Sequence, residues 1–299
     1  MGGGKGLQFY TLDLRRAGRS SSGRLSGIAP QINKKIENEF RSRFADGVQL
    51  AGSLQGKVVL ITGGARRVGA AICRRLHGAG AELFVHYRSA ATEARALQAE
   101  LNACRMNSLA LAQADLLKVS AASELVKAAV KEFGRLDALV NNASSFFPTV
   151  VGEITEKEWD DLIGTNLKAP LFLSQAAAPE LRKQHGCIVN IIDIHAELPM
   201  RNHAVYTAAK GGLLALTRAL ARDLAPEIRV NGVAPGTILW PDDEAWRDEV
   251  SRQRIINQTA LKRIGEPDDI AATVQFLLAE APYITGQVIA VDGGRSIAM

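Results

Sequence analysis

From residue 56 onward, short apolar runs alternate with longer stretches whose apolar positions recur at helical spacing. Lys57–Thr62, Glu82–Tyr87, Ser108–Ala112, Ala138–Val140, Cys187–Ile192, Ile228–Ala234 and Gln287–Val291 are rich in Val, Ile and Leu and read as strands. Between them, a helix ends near His77, and others cover Ala91–Cys104, Ala121–Phe133, Trp159–Gln184 and Ala204–Leu224. Such alternation predicts an α/β fold: one domain built on a doubly wound parallel sheet with helices on both faces. No internal repeat interrupts it. The stretch Gly236–Thr259 is the main insertion, placed between a strand and the last helix. Its Trp240, Pro241 and Trp246 suit either a lid over a site or plain packing.

Residues 1–50 are patterned differently. The first 27 are rich in Gly, Ser and Arg, with few apolar anchors, and are expected to be disordered. Arg15-Arg16 lacks the apolar stretch of an export signal, and Gly6 departs from a myristoylation site. The Arg- and Ser-rich composition, with Asp13 as its single acid, leaves a transit peptide as a lesser alternative. Ile32, Ile36, Phe40 and Phe44 recur every four residues and suggest a short amphipathic helix. The expected division is a basic extension over 1–50 and an oxidoreductase domain over 51–299.

Charge follows the same boundary. The whole chain has 299 residues and a net charge of +5. Residues 1–50 hold nine of the 36 basic and four of the 31 acidic side chains, so the remainder is neutral. The body is therefore not expected to bind nucleic acid. Cys73, Cys104 and Cys187 are scattered and form no C-x-x-C pair, which argues for free thiols, a reducing cytoplasmic setting and no structural metal. No apolar run approaches the ~20 residues of a membrane span.

Two clusters carry chemistry. The first is Thr62-Gly63-Gly64-Ala65-Arg66-Arg67-Val68-Gly69, which joins the first strand to the first helix. Glycines there let the backbone approach a pyrophosphate, and the helix N-terminus offers free N–H groups. A Rossmann-type dinucleotide site follows. The second strand ends in Tyr87-Arg88-Ser89, where NAD-binding folds commonly carry an acid for the ribose. Arg88 suits a 2′-phosphate instead, with Ser89 as a further donor, which favours NADPH. The second cluster is Tyr206-Thr-Ala-Ala-Lys210. Tyr and Lys four apart share a helix face, and a nearby ammonium is expected to lower the phenol pKa.

With Asn141-Asn142-Ala143-Ser144 and Asn166 in order before Tyr206, the chain resembles the short-chain dehydrogenase/reductase family. Within it, three features resemble the pteridine reductases: the T-G-x-x-x-R-x-G turn with Arg67, the run Ser144-Ser145-Phe146-Phe147-Pro148-Thr149, and Asp193 in place of the usual Ser. The resemblance covers about residues 56–299, including Pro235-Gly236-Thr237 and Val291-Asp292-Gly293-Gly294. It implies Tyr206 as catalytic proton donor, working with Lys210 and Asp193, with Lys210 on the nicotinamide ribose and Asn166 holding a water in a proton relay. It implies a cofactor held by Gly63, Arg66, Arg67, Val68, Gly69, Tyr87, Arg88, Ser89, Asp115 (at the adenine), Asn142, Ala143, Ser144, Tyr206, Lys210, Pro235 and Gly236. It implies a substrate held by Arg67, Ser144, Phe146, Asp193 and Tyr206, with Phe146 sandwiching a flat ring against the nicotinamide. Phe147 reads rather as a core anchor.

Asp193 narrows the substrate. An ionised carboxylate can only accept hydrogen bonds. It repels a developing alkoxide, but suits a heterocycle with N–H and amino donors that is protonated on ring nitrogen. The alternative is a strand-end Asp that caps a turn. The expectation is an NADPH-dependent reduction of a pterin, such as dihydropterin to tetrahydropterin in biopterin or folate metabolism, by a homotetramer with a small-molecule substrate and no membrane partner. The rivals are a 3-oxoacyl thioester ketoreductase and a non-catalytic dinucleotide sensor.

Overall fold

The computed structural model describes residues 53–240 and 248–298. The basic extension, the Ile32–Phe44 stripe and the Pro241–Trp246 part of the insertion lie outside the described residues. Seven parallel strands form one sheet in the order β3-β2-β1-β4-β5-β6-β7. They are β1 (Val58–Ile61), β2 (Glu82–Tyr87), β3 (Leu109–Gln113), β4 (Ala138–Asn141), β5 (Cys187–Ile191), β6 (Arg229–Pro235) and β7 (Val288–Val291). The helices are α1 (Arg67–Gly78), α2 (Ala91–Cys104), α3 (Ser120–Phe133), α4 (Glu156–Ile163), α5 (Ala169–Lys183), α6 (Ala204–Asp223), α7 (Glu249–Asn257), α8 (Pro267–Ala279) and the short α9 (Arg295–Ala298).

Strand periodicity explains why both faces are covered. Val59 and Ile61 of β1, Leu83 and Val85 of β2, and Val189 of β5 pack on one face with Ile72 and Leu76 of α1 and Ile270 and Val274 of α8. Val58 and Leu60, Phe84 and Ile188 point to the other face, against Leu125 of α3 and Leu173 and Leu181 of α5. Successive strand residues alternate between two cores, so the central strands are apolar along most of their length. Each fully buried Leu or Ile contributes roughly 1.5–3 kcal/mol of burial. The strand order reverses between β1 and β4, which opens a crevice beyond their carboxyl ends.

Two predicted elements differ from the structure. The helix expected over Trp159–Gln184 is interrupted by a π-helical turn at Gly164–Lys168, where the Ala169 N–H bonds back to Gly164 rather than to Thr165. A π turn adds a residue without breaking the apolar rhythm, so spacing alone passes over it. The insertion also contains α7, whose N-cap Asp248 accepts from the backbone of Val250 and Ser251.

Candidate active site

A cleft of about 500 Å³ opens at the carboxyl end of the sheet. One end is built by the turn after β1. The Gly63 N–H donates to Nδ1 of the buried His86 at 3.2 Å, and Nε2 of that ring meets the Ala114 carbonyl at 3.1 Å. This fixes the tautomer, and burial pulls the His86 pKa down. Asn142 ties the same turn to β4: its Nδ2 donates to the carbonyls of Thr62 and Gly63, each at 2.9 Å. At Gly69 an added Cβ would lie 2.3 Å from the Gly63 carbonyl, so only glycine lets the helix start this close to the turn.

Arg67 occupies a left-handed position, with φ of 52°. Such a conformation is unusual away from glycine. Its guanidinium spans the cleft to the carbonyls of Leu239 and Trp240 at 3.4–3.5 Å. The Trp240 ring in turn lies under Arg252 of α7, 5.3 Å from the cation. The described start of the insertion is thus fastened across the cofactor turn. Arg88 and Ser89 are exposed at the end of β2, and Arg88 sits 3.6 Å from Asp161 of α4. Arg66 faces Glu93 at 3.6 Å. Asp115 accepts from the Leu117 N–H at 3.1 Å and lines the same end.

The other end holds the reactive groups. Strand β5 delivers Asp193 and helix α6 delivers Tyr206 and Lys210. The Tyr206 hydroxyl donates to Asp193 Oδ2 at 2.7 Å. Asp193 Oδ1 accepts from the His195 N–H at 2.9 Å. Asp193 therefore both caps a turn and engages the phenol, uniting two readings that the sequence left as alternatives. Lys210 is buried, donates to the Ile191 carbonyl at 2.9 Å, and lies 5.7 Å from the Tyr206 ring centre.

This geometry corrects the expected phenol chemistry. Burial, then the Asp193 charge and hydrogen bond, push the Tyr206 pKa well above its usual value, against a small opposing pull from the Ser144 hydroxyl. The ammonium does not dominate, because Lys210 points to a backbone carbonyl while a carboxylate touches the hydroxyl. Lys210 itself is pulled down to about 8 by burial, against Asp193.

Asn166 is fully buried in the π-helical turn. Its Oδ1 accepts from Ser144 at 2.6 Å, and its Nδ2 donates to the carbonyls of Ser145 and Leu162, each at 2.9 Å. Its amide is thus spent on holding the Ser144–Ser145 segment, not aimed at the cleft. Phe146 lines the cleft, stacked on His203 at 4.8 Å and edge-on to Tyr206 at 4.9 Å. Phe147 packs with Leu162, Val205 and Tyr206.

The remaining expected residues, Val68, Tyr87, Ala143, Pro235 and Gly236, also line this one cleft. Sequence reading missed His86, His195, Met200, Thr237 and Arg295, which line it too. His86 and Thr237 adjoin motif residues, so proximity was the available signal. Arg295 likewise directly follows Gly294 of the closing run, and adjacency was its only signal too. Among the described residues no cluster suits a metal ion, and no helix is long and apolar enough to cross a membrane.

The turn, the parallel sheet and the Tyr–Lys pair are those of a class of oxidoreductases. Residues 63–296 match the family model described as enoyl-(acyl carrier protein) reductase. The chain belongs to the short-chain dehydrogenase/reductase family. It is 39% identical over 241 residues to a 3-oxoacyl-(acyl-carrier-protein) reductase FabG of Staphylococcus epidermidis, covering 80% of this chain and 98% of that one. It is 38% identical over 280 residues to pteridine reductase 1 of Leishmania tarentolae, covering 80% and 96%. A solved structure from Sinorhizobium meliloti, a provisionally assigned short-chain alcohol dehydrogenase, superposes with a TM-score of 0.79 at 31% identity, covering 83% of this chain and all of that one.

Proposed function

We propose that the protein is an NADPH-dependent pteridine reductase. The observation that carries this reading is the Tyr206 hydroxyl donating to Asp193 at 2.7 Å. A carboxylate beside the proton donor accepts from ring N–H and amino groups and offers nothing to a ketone oxygen. The flat ring has a partner in Phe146, exposed at the cleft.

The residues at the turn fit a phosphorylated dinucleotide. Gly69 lets the helix N-terminus pack directly on the turn, and Arg66, Arg67 and Arg88 line the cleft beside it with positive charge. Bound NADPH supplies the hydride. Tyr206 then gives its proton to the ring nitrogen next to the reduced carbon. A phenol with a raised pKa stays protonated at neutral pH and suits a strongly basic nitrogen. Lys210 places a positive charge near the phenolate left behind, and Asp193, in contact with that oxygen, steers its reprotonation.

The second reading is a 3-oxoacyl thioester reductase, favoured by the FabG relatives at 38–39% identity. The deciding assay follows NADPH oxidation with dihydrobiopterin and with acetoacetyl thioester side by side, with a methotrexate-type antifolate as competitor. Pterin turnover blocked by the antifolate is expected. Thioester turnover without pterin turnover overturns the proposal.

A further inference from the structure

The loop that carries Phe146 is tied down on both sides of that residue by hydrogen bonds. Asn166 fastens Ser144 and Ser145. Further on, the Thr149 N–H donates to the Asn202 carbonyl, and the Thr149 hydroxyl accepts from the Val205 N–H at 3.4 Å. Between these anchors the apolar ring of Phe146 is oriented by what packs on it. His203 supplies that contact. Asn202 takes a left-handed conformation, with φ of 59°, which asparagine tolerates, and the turn brings His203 against the loop. The imidazole is 8% exposed and lies nearly parallel to Phe146, with 19° between planes and 4.8 Å between centres, inside the range of offset stacking. Its Nδ1 meets the Arg201 carbonyl at 2.8 Å. A carbonyl only accepts, so Nδ1 carries the proton and the ring plane is pinned. The imidazole stands behind Phe146, outside the cleft lining, whereas Phe146 is 40% exposed and lines the cleft.

We propose that His203 is a positioning residue for substrate specificity: it backs Phe146, so that the ring meets the cleft as a fixed, flat platform. The inference rests on the reading of the substrate as a flat heterocycle. Backing has two effects. A rigid partner covers one face of Phe146, so part of the ordering that stacking requires is already done before a ligand arrives. It also keeps Phe146 edge-on to Tyr206, at 81° and 4.9 Å, so platform and phenol hold a constant relation. His203 therefore acts through Phe146 and not on the transferred proton. Loss of the stack should weaken the binding of flat substrates and spare the chemical step.

The test installs 4-fluorophenylalanine in place of Phe146 alone, in the full chain, and reads its fluorine NMR signal without ligand. The imidazole ring current should displace that signal from the position of free fluorophenylalanine. His203→Asn keeps an amide donor close to where Nδ1 sits and removes the ring; it should return the signal most of the way and sharpen it. In the unlabelled protein the same variant should raise KM for dihydrobiopterin about threefold to tenfold, the worth of one aromatic pair, with kcat held within about twofold. His203→Phe keeps a stacking ring and loses the hydrogen bond, and it should hold both the signal and KM. In His203→Asn an unmoved signal, an unaltered KM, or a kcat loss as large as the rise in KM overturns the proposal. If His203→Asn does not fold, His203→Phe decides: a retained signal supports the proposal, and a released ring overturns it. Absence of pterin turnover in the wild type overturns only the substrate reading, because the fluorine signals are read without substrate.

Discussion

Under the proposed function, Tyr206 is the proton donor. Tyr206→Phe removes one hydroxyl and keeps the ring that packs on Phe146, so cofactor binding should persist while turnover falls by at least about a thousandfold, within the range general acid catalysis supplies. Steady-state rates beside a cofactor titration check this. Arg88 is, under the same proposed function, the residue that would select the cofactor. Its pairing with Asp161 at 3.6 Å is more than half exposed on the Arg side, so it is weak and easily exchanged for a phosphate. Arg88→Ala should weaken NADPH about tenfold to a hundredfold, the worth of one charged hydrogen bond, and leave NADH nearly unchanged. Equal losses would refute the assignment. Lys210 sets an alkaline limit. Burial brings it from an ordinary 10.5 to about 8, so the free protein loses this charge as pH rises through that value. NADPH affinity should therefore decline above about pH 8, and Lys210→Met should abolish that limb along with much of the affinity. The sign for stability is opposite: the unfolded chain holds more protons between about 8 and 10.5, so this group's penalty is greatest below that window and fades across it.

At the scale of elements, the join between β1 and α1 is the least tolerant part of the fold. Gly69 has the Gly63 carbonyl and the Asn142 side chain where a Cβ would sit, at 2.3 and 2.7 Å. Both are held in place, by backbone and by a doubly bonded amide, so neither can move cheaply. Gly69→Ala should lower the melting temperature and reduce dinucleotide affinity at least tenfold; a variant with wild-type affinity would show that the turn is softer than its packing implies. The same join shows how far sequence reached. The Gly pattern announced the turn, but not that Arg67 takes a left-handed conformation and reaches across to Leu239 and Trp240. That contact depends on where the chain after β6 passes, 172 residues later. The π-helical turn at Gly164–Lys168 was illegible for a related reason. It is stabilised by what Asn166 does with Ser144 and Ser145, residues of another loop.

For the whole molecule, the boundary near residue 51 is the testable feature. The family match begins at residue 63, and the curated relatives cover about 80% of this chain. Deleting residues 1–50 should leave pterin turnover unchanged and shift the melting temperature by a few degrees at most. Loss of activity, or a fall in the solution mass measured by light scattering, would make the Ile32–Phe44 stripe part of an interface.

The alternation of apolar runs determined the sheet by itself, because a strand buried on both faces has few polar positions to spare. Val58–Ile61 and Cys187–Ile191 were readable for that reason. The glycines before Gly69, Arg88 after the second strand and the four-residue step from Tyr206 to Lys210 were equally local, and they named the family. Charge and proton affinity were not local. The Tyr206 pKa depends on which group touches its oxygen, and the fold puts Asp193 there rather than Lys210. Arg295 enters the cleft only because β7 pairs with β6 and carries the chain's last turn back to Thr237. Spacing fixes what shares a helix face or a strand, whereas electrostatic partners are chosen by packing between segments far apart in the chain.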